Sequence, residues 1–80
     1  MNAQAGTLES LLNRIIYLTG EVIKAVDHNR ISEAADLVRQ RSECIELYSR
    51  IKTPDANSLP NYSMFIRSLV RYDEKFNLCA

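Results

Sequence analysis

Between Ile31 and Ile51 the chain repeats apolar residues at helical spacing over an arc too wide for one neighbour to cover. At about 100° per residue, Ile31, Ala34, Ala35, Val38, Ile45 and Tyr48 fall on one face. Leu37, Cys44, Leu47 and Ile51 carry that face round one side. The arc reaches roughly 240°, against ~100° for an ordinary surface helix. Ser32, Asp36, Arg39, Gln40, Glu43 and Arg50 hold what remains. Such a helix is expected to be central, with contacts on two sides. Arg41 breaks the pattern, lying inside the apolar arc between Val38 and Ile45.

The segments on either side have the same period. Leu8, Leu11, Leu12, Ile15, Ile16, Leu18, Val22, Ile23 and Val26 share a half-cylinder, with Asn13, Glu21, Lys24 and Asp27 opposite. Tyr17 and Gly20 lie on the polar side. Thr7 is the expected N-cap. The turn Asp27-His28-Asn29-Arg30 is too short for anything but a hairpin of antiparallel helices. Asn29 suits either a left-handed C′ position or the N-cap of the next helix. The stretch from Thr53 to Pro60 holds both prolines and an Asp/Asn/Ser cluster, and so reads as a loop. Beyond it Phe65, Ile66, Leu69, Val70, Tyr72, Phe76 and Cys79 share a face, with Ser63, Arg67, Arg71, Glu74 and Lys75 opposite.

The expected fold is therefore all-α: a three-helix up-down-up antiparallel bundle built on a long helical hairpin. The whole chain, residues 1–80, is one helical domain. Residues 1–6 are expected to be disordered and the helices to span about 7–28, 30–52 and 60–79.

Asp73 falls near the middle of the third helix's apolar face. One arrangement joins it to Arg41 across the seam between helices 2 and 3, because a lone buried charge costs several kcal/mol. In the other, Arg41 runs its stem out to solvent and Asp73 sits at the rim.

Ten basic and ten acidic residues cancel. Nucleic-acid binding needs several phosphate-neutralising cations on one face, so no nucleic-acid partner is expected. No window approaches the ~18 apolar residues of a membrane span, and no membrane partner is expected. Nothing resembles a signal peptide, and two cysteines make no disulfide framework. The expected location is the cytoplasm.

A catalytic constellation is missing. His28, the only histidine, sits in a turn beside Asp27 and reads as solvated. Cys44 and Cys79 lie on different helices at the margins of apolar faces and read as inert thiols. The only glycines, Gly6 and Gly20, make no phosphate loop. No catalytic residue, metal ligand or cofactor is assigned, and the chain is not expected to be an enzyme. The stronger signal is surplus apolar surface: three helices of this length can hide only part of these arcs, and Leu47, Ile51, Met64 and Leu78 fall outside the main stripes. A leftover apolar groove on a small protein points to a partner helix, or to a homodimer using the same surface.

The run Val22 to Leu37 across the short turn, the segment Arg39-Gln40-Arg41-Ser42-Glu43-Cys44-Ile45-Glu46-Leu47, and Ile66 to Phe76 after the proline loop resemble the small flagellar type III export chaperones of the FliT kind. The resemblance covers residues 8–78 and rests on helix lengths, turn positions and a few polar placements. It implies a non-enzymatic cytoplasmic chaperone in flagellum biogenesis. Such a chaperone binds the C-terminal helix of the filament-cap protein and escorts it to the export ATPase components. A flagellar transcription activator is a further implied partner. The family's fourth helix, which can fold back over the binding surface, has no counterpart up to Ala80, so the groove is expected to be open. By this resemblance the partner surface comprises Leu37, Cys44, Leu47, Tyr48 and Ile51 on helix 2, and Ile66, Leu69, Tyr72, Phe76 and Cys79 on helix 3. The competing expectation is a structural helical-hairpin subunit that homodimerises or docks in a larger complex.

Overall fold

A computed structural model describes residues 3–51 and 59–76, with side chains from residue 7 onward. Among the described residues all the regular structure is helical: α1 (Ala3–Asp27), α2 (Ile31–Ile51) and α3 (Tyr62–Phe76). The expected ends of helix 2 at Lys52 and of helix 3 beyond Phe76 lie outside the described residues, as does Cys79.

The aliphatic stripe of α1 forms the core. Leu8, Leu12, Ile15, Leu18 and Val22 are almost completely buried, and Thr19 is enclosed with them. Tyr48 from α2 and Phe65 from α3 close on Leu8, Leu12 and Ile15, their rings tilted and 5.3 Å apart. Nearer the hairpin turn, Ala25 of α1 and Ala34 of α2 are buried too.

The central helix is α1, which corrects the expectation that the second helix would be. Only Ala34, Arg41 and Tyr48 of α2 are buried, whereas α1 packs against both other helices along its length. The backbones of α2 and α3 barely approach each other, and large side chains span most of the gap. The physical reason is side-chain size. The α2 arc is wide but diluted by Ala34, Ala35, Arg41 and Ser42. The α1 stripe is an unbroken row of branched aliphatics, each worth about 1.5–3 kcal/mol when buried.

Polar contacts fix how α3 lies on α1. At the head of α3, the buried Asn61 donates from Nδ2 to the Glu9 carbonyl (3.0 Å) and to Asn13 Oδ1 (2.9 Å). At its tail, Lys75 pairs with Asp27, the last residue of α1. Head thus meets head and tail meets tail. Pro60, expected in the first turn of this helix, precedes it; the Tyr62 amide donates to the Leu59 carbonyl, 3.1 Å, in the lead-in turn.

Helix α1 begins at Ala3, so Thr7 is not its cap and residues 3–6, expected to be disordered, belong to the helix. Nothing in Ala3-Gln4-Ala5 opposes helix, and Gly6 costs only ~1 kcal/mol in a helix interior.

The helix ends in a Schellman motif. The Arg30 amide donates to the Ala25 carbonyl (2.8 Å) and the Asn29 amide to the Val26 carbonyl (3.0 Å). Asn29 takes φ 63°, which settles its role as the left-handed C′ residue. The Ala34 amide then donates to the Arg30 carbonyl, starting α2 immediately. A Cβ costs about 1–2 kcal/mol in the left-handed region, a cost the short polar Asn side chain partly offsets. Asn29→Ala should therefore lower stability by about 1 kcal/mol, with Asn29→Gly equal to or above the native chain, as read from urea midpoints at constant slope.

Candidate helix-binding groove

The site is built on two features that meet at Thr19. The first is the seat of Arg41. This residue is only 8% exposed, in the gap between α2 and α3. Its Nε–H donates to Thr19 Oγ1 at 2.8 Å, and the Thr19 hydroxyl donates to the Ile15 carbonyl at 2.7 Å. The guanidinium carbon lies 3.8 Å from the centre of the Tyr72 ring, a cation–π contact. Tyr72 is itself backed by Phe76, ring centres 4.8 Å apart. Burial pushes the Arg41 guanidinium below the ordinary arginine value, while Tyr72 and Asp73 act against that shift. Arg41 thus neither runs out to solvent nor depends on one carboxylate: a hydroxyl and a ring face hold it, and Asp73 contributes charge. Burial and the neighbouring Tyr62 likewise raise the Tyr48 phenol above its usual value.

The second feature is a groove of about 330 Å³ lined by α1 and α3 alone. Ile16, Thr19, Gly20 and Ile23 form its α1 side. Met64, Arg67, Ser68 and Arg71 form its α3 side. Met64 is 56% exposed. A Cβ built at Gly20 would meet nothing within 4 Å, so the glycine leaves open space in the groove. An apolar floor bordered by two cations can take up the apolar face of a helix.

No family model, curated protein or solved structure matches this chain. The functional reading therefore rests on the site itself.

The residues expected to bind a partner do not form one surface. Tyr48 is in the core, and Cys44, Ile51 and Leu69 pack against it. Tyr72 and Phe76 belong to the seat of Arg41. Leu37 is half-buried, Leu47 and Ile66 face solvent, and Cys79 lies outside the described residues. None of the nine that are described lines the groove.

Sequence reasoning passed over Thr19, Gly20, Arg67 and Arg71. Thr19 was detectable: it is the one hydroxyl inside the α1 stripe, and in an antiparallel hairpin it falls level with Arg41. The two arginines were assigned to a solvated face, because periodicity does not say how far α3 rolls on α1. Met64, marked as lying off the main stripe, was the one sequence signal for this groove.

Two outcomes are expected. Thr19→Val strips Arg41 of its acceptor and should cost about 1–3 kcal/mol in urea unfolding. Adding Arg41→Met to that variant should recover most of the loss, since an apolar side chain of similar volume has no charge to desolvate. Gly20→Ala should stabilise the chain by up to about 1 kcal/mol, seen as a raised Tm, because the new methyl group meets no neighbour.

Proposed function

We propose that this chain, arranged as an up-down-up antiparallel three-helix bundle, is a cytoplasmic chaperone of the flagellar export type. It masks the amphipathic C-terminal helix of a filament-cap protein and hands it to the export ATPase components. A flagellar transcription activator is a second proposed partner. The mechanism is burial of apolar surface. The single observation that carries this reading is the open groove along α1 and α3, with its floor of Ile16, Ile23 and Met64. A helix laid there would complete a four-helix arrangement around α1. Removing apolar surface of both partners from water is the favourable term set against the cost of ordering a short partner segment. No described helix is long and apolar enough to cross a membrane, which is compatible with this role.

A structural subunit is the second reading, favoured by the exposure of Ile31 and Leu47 on α2 and of Ile66 and Val70 one turn apart on α3. These side chains lie outside the groove and could meet in a homodimer. The two readings separate by light scattering. Adding a synthetic peptide of a filament-cap C-terminal helix should produce a 1:1 complex and displace any dimer. A dimer whose mass ignores the peptide would sink the chaperone reading.

A further inference from the structure

The cations of this chain are not distributed evenly between paired and unpaired. Arg30, Arg39, Arg50 and Lys75 each hold an acidic partner, with Glu33, Asp36, Glu46 and Asp27 respectively. Arg14 donates to Gln40, and Arg41 is seated on Thr19 and Tyr72. Among the described residues, three cationic side chains make no such contact: Lys24, Arg67 and Arg71. Arg67 and Arg71 line the groove. Lys24 stands one turn beyond Gly20 on α1. Among the described residues no acidic side chain lines the groove, and Asp27, one turn beyond Ile23 on α1, is engaged by Lys75.

We propose that the occupant of this groove is an acidic amphipathic helix carrying two carboxylates one turn apart, which Arg67 and Arg71 grip while its apolar stripe lies on Ile16, Ile23 and Met64. This rests on the helix-binding reading above and adds the chemistry of the partner. Arg67 and Arg71 are four residues apart on α3, so their side chains leave the helix about 5–6 Å from one another. Glu or Asp at i and i+4 of a second helix has the same spacing, and each guanidinium presents a fork that fits a carboxylate. Two like charges one turn apart repel mildly while empty, and that repulsion is relieved on binding. Gly20 sets where the partner comes closest: with no Cβ on α1, the helices can approach inside the usual 8–10 Å axial separation. The neutral balance of the whole chain speaks against an extended polyanion, which would need many more cations on one face.

The test uses three synthetic helical peptides sharing one leucine stripe and differing at two positions one turn apart, which carry Glu, Gln or Lys. Fluorescence anisotropy against the full chain should give the order Glu, then Gln, then Lys, with about tenfold between Glu and Gln at low salt. That gap should narrow as salt is raised. The double variant Arg67→Glu/Arg71→Glu should reverse the order. Gly20→Leu fills the groove in space the fold leaves empty, so it should keep the helical circular dichroism and weaken every peptide at least tenfold. Equal affinity for the Glu and Gln peptides overturns the carboxylate grip and leaves helix capture standing. Undiminished binding to Gly20→Leu removes the occupant from this groove. Failure of all three peptides overturns both readings. Binding to phosphatidylglycerol vesicles that the double reversal abolishes would replace the helix by a lipid. A dimer that the double reversal dissociates would replace it by a second copy of the chain.

Discussion

The branched aliphatic stripe of α1 is the surface on which everything else is assembled. Leu8, Leu12, Ile15, Leu18 and Val22 have almost no contact with solvent, and neither α2 nor α3 has a comparable row of its own. Both helices therefore bury what they can against α1, on adjacent sides of it. Between them a wedge opens, and it is filled by the largest side chains available: Tyr48, Phe65, Arg41 and Tyr72. On the other flank of α3, among the described residues, nothing fills the matching wedge, and that is the groove.

Arg41 shows how a charge can be housed in so thin a core. A desolvated guanidinium is costly, and a neutral acceptor alone does not cancel that cost. Here the Thr19 hydroxyl takes one N–H, the Tyr72 face covers the planar group, and Asp73 adds a favourable field. Thr19 belongs to α1, and Tyr72 and Asp73 to a single turn of α3, so together they set the register of α2 against α1 and of α3 against both. An apolar residue at position 41 would fill the space without specifying that register. Because Thr19 also lines the groove, the residue that anchors Arg41 from one side forms part of the binding floor on the other.

The site itself was only partly visible in the chain. Helix number, the hairpin turn and the surplus of apolar surface follow from local rules, because period, capping and chain length act within a few residues; between the two roles local rules allow Asn29, its φ of 63° decides. The partner surface did not follow. Periodicity ranks residues around each helix but does not state how the helices are rolled against one another. A roll of α3 that buries Phe65 and Leu69 carries Met64, Arg67 and Arg71 to the α1 side and leaves Ile66 and Val70 outside. It also turns Tyr72 and Phe76 from candidate contacts into supports for Arg41. The breadth of the α2 arc misled for a similar reason, since an arc counts positions and burial depends on side-chain volume.

What the amino-acid sequence determined by itself is the helical chain with its turns, its neutral charge, and a supply of apolar side chains larger than three helices can enclose. Those properties are set by neighbours in the chain and by composition, and no packing arrangement changes them. The tertiary structure alone decided which helix became the shared wall, which hydroxyl received the buried arginine, and where the uncovered surface and the unpaired cations came together. These are outcomes of competition between distant segments for one small core. The largest unbroken aliphatic surface won that competition, and the groove is the space its winning left open.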